Sequence, residues 1–226
     1  MDSGRADSLR ALTDEVVRCR ACPRLVAWRE EVAASPRASF RGETYWGRPV
    51  PGFGDPDARL LVVGLAPAAH GGNRTGRIFT GDRSGDWLFG ALHRAGYANQ
   101  ATSVSADDGL ELHDAYIAAA VRCAPPANRP TPEERDRCLP YLAREMRLLL
   151  RVRVVVVLGG FAYDALAKVV ALPRPRPKFG HGVEVPAGDL TVLCCYHPSQ
   201  QNTFTGKLTE PMLDAIFTRA RQLSVP

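Results

Sequence analysis

Residues 59–66 read RLLVVGLA, a short apolar run that gives way at once to PAAHGGNRTGRIFTGDRSG, residues 67–85. An apolar run of this length, bounded by turn residues, has the pattern of a strand buried on both faces, here followed by a glycine-rich loop. Working outward, the pattern recurs. DAYIAAAVRC (114–123) reads as a second strand, VRVVVVLG (152–159) as a third and LTVLCCYH as a fourth, and three of the four are continuously apolar. Helical segments alternate with them. DWLFGALHRAGY has Gly96 as its stop. A helix from about 132 to 150 opens on Thr131, Pro132 and Glu134 in the form of a capping box, with Pro140 as a candidate kink. GFAYDALAKVVA and TEPMLDAIFTRARQL follow. Before all of these, Leu9, Leu12 and Val16 sit at helical spacing, and residues 35–58 read as a long ordered loop. Strands alternating with helices predict one α/β domain over 1–226, with a mostly parallel sheet covered on both faces. Such sheets bind ligands at the carboxyl ends of their strands. Three loops lie there: 67–85, 123–130 and 197–207.

The chain has 226 residues, 45% of them hydrophobic, enough for a sizeable core. No apolar run approaches the ~18 residues needed to cross a bilayer. The opening MDSGRADSLR is not a secretory signal, so the expected location is the cytoplasm, with no membrane partner. A net charge of +5 fits a polyanionic partner and equally fits ordinary solubility. Six cysteines in a cytosolic chain do not read as a disulfide framework. Cys194 and Cys195 are neighbours on a strand and read as small core residues on opposite faces.

Three segments have the residue types for chemistry. The loop GLAPAAHGGNRTGRIFTGD has no phosphate-binding fingerprint. Its glycines permit close backbone approach, Asp82 supplies a carboxylate and Phe79 a flat apolar face, although a structural turn with a surface acid would look the same. Cys19 and Cys22 form a C-x-x-C pair, and Cys123 and Cys138 stand far downstream. Spacing alone leaves an iron–sulfur cluster, a zinc ion and unliganded thiols all open. In YHPSQQNTFTGKLTEP (196–211), His197 leaves a buried strand, Pro198 ends it, and Ser199, Gln200, Gln201 and Asn202 suit a short rigid loop against phosphates or a groove.

Taken together, GLAPAAHGGNRTGRIFTGD, VRCAPPANRPTPEE and HPSQQNTFTGKLT, with cysteines 19, 22, 123 and 138, resemble the iron–sulfur branch of the uracil-DNA glycosylase superfamily, most nearly its family 5, or type b. The similarity runs from about residue 15 to 220. It implies a three-layer α/β/α sandwich around a four-stranded, mostly parallel sheet. It also implies a [4Fe–4S] cluster on Cys19, Cys22, Cys123 and Cys138, held by an N-terminal cluster-binding segment. The implied activity is hydrolysis of the N-glycosidic bond of a damaged base, uracil above all, in double- or single-stranded DNA, leaving an abasic site without lyase chemistry. A base inside a duplex is out of reach, so the nucleotide must be everted into a pocket. His197 would donate a hydrogen bond to the departing base and Phe79 would stack on it. Backbone amides of Gly64, Leu65, Ala66, Ala68 and His70 would hold base or water. The loop bearing Ser199, Gln201 and Asn202 would press into the minor groove, and basic side chains, including those of PRPRPK, would touch phosphates.

Two departures from related families bear on mechanism. Several relatives place Asp, Asn or Glu just after the first strand to position water, whereas here Leu65, Ala66 and Ala68 stand there, an absence that family 5 shares. Asp82 is the candidate to orient water, with Asn128 as a polar helper. Relatives often carry an Asn on the second strand that reads the uracil edge; here Ala119 takes that place. A site without that reader cannot use it to reject analogues, so relaxed specificity is expected, extending to hypoxanthine and other modified bases. A monomer is expected. The rival readings are a non-catalytic DNA-binding protein with a structural or redox-sensing cluster, and a zinc deaminase. The latter lacks the H-x-E and P-C-x-x-C arrangement it would need.

Overall fold

The structure, a computed structural model, describes residues 7–224. Residues 1–6 and 225–226 of the expected 1–226 unit, and with them most of the N-terminal stretch judged not to be a signal, lie outside the described residues. The centre of the molecule is a sheet of six strands: β1 (Phe53–Gly54), β2 (Leu60–Gly64), β3 (Ala115–Ala119), β4 (Val154–Leu158), β5 (Glu184–Ala187) and β6 (Leu190–Cys195). Their spatial order is β1-β3-β2-β4-β6-β5. The inner four are parallel, and β1 and β5 flank them antiparallel.

The expected four-stranded sheet is therefore the inner part of a six-stranded one. β1 is two residues long, too short to show a period, and β5 carries Pro186, a residue that argues against a strand unless it lies at an edge. The second strand ends at Ala119 and not at Cys123, although Ala120 and Val121 continue the pairing by donating to the carbonyls of Gly64 and Leu65 at 2.9 and 3.1 Å.

Alternation along the strands divides the core in two. Leu60, Val62, Ile117, Val156 and Cys195 face the layer made by α4 (Arg83–Arg94) and α8 (Glu210–Ser224). Leu61, Val63, Ala118, Val157 and Cys194 face α5 (Pro132–Leu148) and α6 (Gly160–Leu166). The two adjacent cysteines thus lie on opposite faces, as their position on a strand requires. Burying a valine or leucine side chain stabilises by about 1.5–3 kcal/mol, and β4 is five such residues in a row, all buried.

Helix ends follow their local chemistry. Thr131 accepts from the Glu134 amide at 3.2 Å while the Glu134 side chain accepts from the Thr131 amide at 2.8 Å, the reciprocal box expected from the sequence. α5 runs unbroken through Pro140. Gly96, at φ +76°, closes α4. Three helices lack a clear sequence signal: α2 (Pro23–Ala34), the short α3 (Gly72–Thr75) and α7 (Gln200–Phe204), the last in a segment expected to be loop. α1 (Leu9–Val16) matches its expected spacing. Among the described residues no helix is long and apolar enough to cross a membrane.

Candidate active site

The three loops at the carboxyl ends of β2, β3 and β6 carry nearly all the candidate residues. Phe79 follows β2, and its ring centroid stands 5.9 Å from that of His197, which follows β6, with the planes tilted by 36°. Two segments more than a hundred residues apart are thus brought into contact. Phe79 holds a left-handed backbone, φ +56°, rare for a bulky residue and a form of strain that clusters at functional sites. The surroundings impose it. A Cβ on Gly85 would stand 1.8 Å from the Phe79 carbonyl oxygen. Ala119, at the end of β3, packs in the same core layer as Phe79.

His197 is half-buried, and its partial removal from water pushes its imidazole well below the usual value, to about 4. At neutral pH the ring is uncharged, with one N–H to donate and one lone pair. Its carbonyl accepts from Asn202 Nδ2 at 2.8 Å, and Ser199 caps α7 by accepting from the Asn202 amide at 3.4 Å. Asn202 and Ser199 therefore hold the His197 loop in shape. Gln201 is exposed, and Phe204, at the end of α7, is 67% exposed under the Arg83 guanidinium.

Asp82 is the N-cap of α4: one carboxylate oxygen accepts from the Gly85 amide at 3.0 Å. The other lies against Gly71, where an added Cβ would come within 2.1 Å of it. Burial pushes the Asp82 carboxyl up from its ordinary value, and the Gly85 and Ser84 amides pull against that rise. A carboxylate so placed is a stronger base than one in water. Asn128 is exposed, and it and Ala127 are consecutive left-handed residues, φ +54° and +52°, in the loop after β3.

The candidates on the turn after β2 divide. Gly64 lies under the Phe79 ring, and Leu65 accepts from Val121. The Ala68 carbonyl accepts from the Gly71 and Asn73 amides at 3.2 and 3.0 Å, while the amides of Ala68 and His70 donate to no group among the described residues. Donors left open in this way suit an anion, a base carbonyl or water. Ala66 packs beside the cysteines rather than in the Phe79 layer. His70 is walled in by two residues with no sequence signal for the role. Tyr45 Oη lies 2.9 Å from its Nδ1, and Phe40 stacks at 6.2 Å.

Cys22, Cys123 and Cys138 are buried in one cluster with Leu25 and Val121, and Cys19 is joined to them through Arg29, whose guanidinium reaches both the Cys19 carbonyl and Cys123 Sγ. Burial raises the thiol of Cys123 to about 11 and that of Cys138 to about 12. Two N–H groups point at sulfur: Arg29 Nη1 to Cys123 Sγ at 2.9 Å, and the Arg122 amide to Cys138 Sγ at 3.4 Å. No group of three or more His, Cys, Asp or Glu among the described residues is arranged to hold a single metal ion. The donor set nevertheless suits a thiolate-bound cluster: four thiols from three segments, a buried cation and one amide donor to sulfur. Arg29, only 2% exposed, was invisible from sequence. Its carbonyl accepts from Asn73 Nδ2 at 3.1 Å, which links the cysteine group to the glycine-rich loop.

Comparison with known proteins identifies the family. Residues 51–221 match the family model described as the uracil DNA glycosylase superfamily. The chain is 57% identical to the type-5 uracil-DNA glycosylase of Mycobacterium tuberculosis, over 98% of this chain and 84% of that protein. It is 54% identical to the type-5 enzyme of Mycobacterium leprae over 99% of each chain. It is 51% identical to that of Thermus thermophilus, over 95% of this chain and 97% of the relative.

Proposed function

The chain belongs to the uracil DNA glycosylase superfamily, and from that membership and the geometry of the three loops we infer how it acts. It is a DNA-repair glycosylase, a hydrolase that excises uracil from DNA by cleaving the N-glycosyl bond. The observation that carries the assignment of roles is the contact of Phe79 with His197 where β2 and β6 end.

The everted base stacks on Phe79. Cleavage makes the sugar oxocarbenium-like and the departing base anionic. The neutral imidazole of His197 donates a hydrogen bond to a carbonyl oxygen of that anion, an interaction that grows as the bond breaks. Preorganised donors of this kind are worth about 3–4 kcal/mol. A neutral donor loses no charge to solvent and needs no proton taken up beforehand. Asp82, its basicity raised by burial, orients the attacking water, with Asn128 as helper. The open amides of the turn after β2 hold water or base. Ala119 presents only a methyl where an amide reader would stand, so the pocket accepts hypoxanthine and other modified bases as well as uracil. DNA, double- or single-stranded, is the substrate, and the product is an abasic site.

A [4Fe–4S] cluster on Cys19, Cys22, Cys123 and Cys138 is part of the same proposal. When bound it supplies a rigid cross-link between the N-terminal helices, the loop after β3 and α5. Iron and sulfide content and a brown colour test it apart from activity. The protein acts as a monomer in the cytoplasm.

The deciding experiment is excision from duplexes carrying uracil or hypoxanthine, followed by alkali to break the strand at any abasic site. Cleavage at both lesions is expected. Cleavage at uracil alone overturns the relaxed specificity, and cleavage at neither overturns the whole reading.

A further inference from the structure

Two sizeable cavities open on the surface away from the Phe79–His197 contact. The first, about 560 Å³, is lined by Arg135, Lys168, Arg174 and Arg176. Three of these cations are already engaged: Arg135 and Lys168 share Asp136 at 2.8 and 2.7 Å, and Arg176 meets Asp164 at 2.9 Å. The second, about 460 Å³, lies between the end of α1, α2 and residues 45–48. Its cations are Arg18, Arg20 and Arg48, with Arg29 at its inner side. Arg20 pairs with Glu30, but Arg18 and Arg48 have no carboxylate partner among the described residues. Both are exposed, and both are held. Arg18 Nε donates to the Asp14 carbonyl at 2.7 Å, and the Arg48 guanidinium lies over the Trp46 ring at 5.5 Å. Trp46 itself is fixed by its Nε1 bond to the Pro49 carbonyl, 3.1 Å, and by packing against Gly76.

This groove is tied to the active-site loop. The Trp46 and Gly47 amides donate to the carbonyls of Arg74 and Asn73 at 2.9 and 3.0 Å, and Tyr45 in its wall meets His70. We propose that the groove between α1, α2 and the Trp46–Arg48 segment grips the phosphodiester backbone of the strand flanking the everted nucleotide, through Arg18 and Arg48. The proposal deepens the reading of the protein as a DNA glycosylase and rests on it. Pre-positioned guanidiniums with free donors match phosphate oxygens, whereas cations already matched to carboxylates must break those pairs first. Continuity with the His70 turn puts a backbone held there next to the loop that follows β2. Contacts of this kind position the enzyme without reading sequence.

The test uses the full-length protein and a fluorescently labelled, undamaged duplex, with affinity measured by anisotropy over a range of salt concentrations. Each phosphate contact contributes roughly 0.9 to the slope of log K against log salt. Arg18→Gln with Arg48→Gln is expected to make the slope shallower by about 2 and to weaken binding at low salt at least tenfold. Arg18→Lys with Arg48→Lys should restore most of the slope, because charge is kept. Arg151→Gln, an exposed arginine just before β4, should match the wild type. A Gln pair with wild-type slope and melting temperature overturns the groove, and so does a Lys pair as weak as the Gln pair. Uracil excision by the wild-type protein is read separately. Excision with an unchanged slope in the Gln pair sinks only this inference, whereas no excision at all sinks the assigned function.

Discussion

Gly64 and Phe79 are packed so closely that a single methyl group would separate them: a Cβ built on Gly64 stands 2.7 Å from the Phe79 ring. The backbone at Gly64 tolerates alanine, so the clash is with the ring alone. Gly64→Ala should push Phe79 off the position from which it stacks on the base, lowering single-turnover excision at least tenfold and costing about 1–3 kcal/mol of stability through overpacking. Adding Phe79→Leu should recover stability but not rate. Recovery of both would show that Phe79 takes no part in holding the base.

Asp82 has an observed cap and a proposed water-orienting role, and substitution can separate them. Asparagine caps a helix as well as aspartate does, so Asp82→Asn should keep the melting temperature close to wild type. Its amide is no base, and single-turnover excision should drop at least tenfold. Asp82→Ala should lose the rate and also about 1 kcal/mol of stability from the missing cap. Near-normal rates in the asparagine variant would leave Asp82 as a cap only.

The burial of His197 has a signature in acid. Its folded value of about 4 lies below the unfolded value near 6.5, so the unfolded chain takes up the proton first. Stability present at neutral pH is therefore lost as pH falls from about 6.5 towards 4, by up to about 3 kcal/mol. Urea melts of the wild type and of His197→Ala across this window should differ in slope, with the alanine variant less acid-sensitive. His197→Ala should also excise at least ten times more slowly at pH 7. In the wild type the imidazole's contribution to excision should be level from pH 6 to 8.

Arg122 and Glu145 form an ion pair in which both side chains are almost fully buried, directly behind the cysteine group. Removing one partner leaves a buried charge alone. Glu145→Ala should cost about 3–5 kcal/mol in thermal or chemical denaturation. Glu145→Gln, which keeps the shape, should cost less, and an alanine variant as stable as wild type would contradict the burial of the pair.

The legible parts of this molecule were those with one dominant local cause. β4 has five consecutive apolar residues, Thr131 has its reciprocal partner at Glu134, and Gly96 sits where only a left-handed residue closes the helix. α2 escaped because its buried stripe, Leu25, Val26, Arg29 and Val32, has a cation in the middle. That charge is placed by a sulfur 94 residues away, and periodicity cannot signal it. α7 escaped because its residues, Gln200–Phe204, are mostly polar and expose no apolar face to the core. In the candidate site, the meeting of His197 with Phe79 followed from their places after strands. The wall of Phe40 and Tyr45 around His70 did not, since nothing in residues 35–58 marks which end of the sheet they approach.

The outer strands of the sheet have a consequence for how copies of the protein behave together. β1 offers only two residues, and β5 interrupts its outer rim with Pro186, which has no amide hydrogen to share. Neither rim is a regular template on which another chain can extend a ladder, so the edge-to-edge aggregation that an open, regular border invites is blunted at both sides of the sheet.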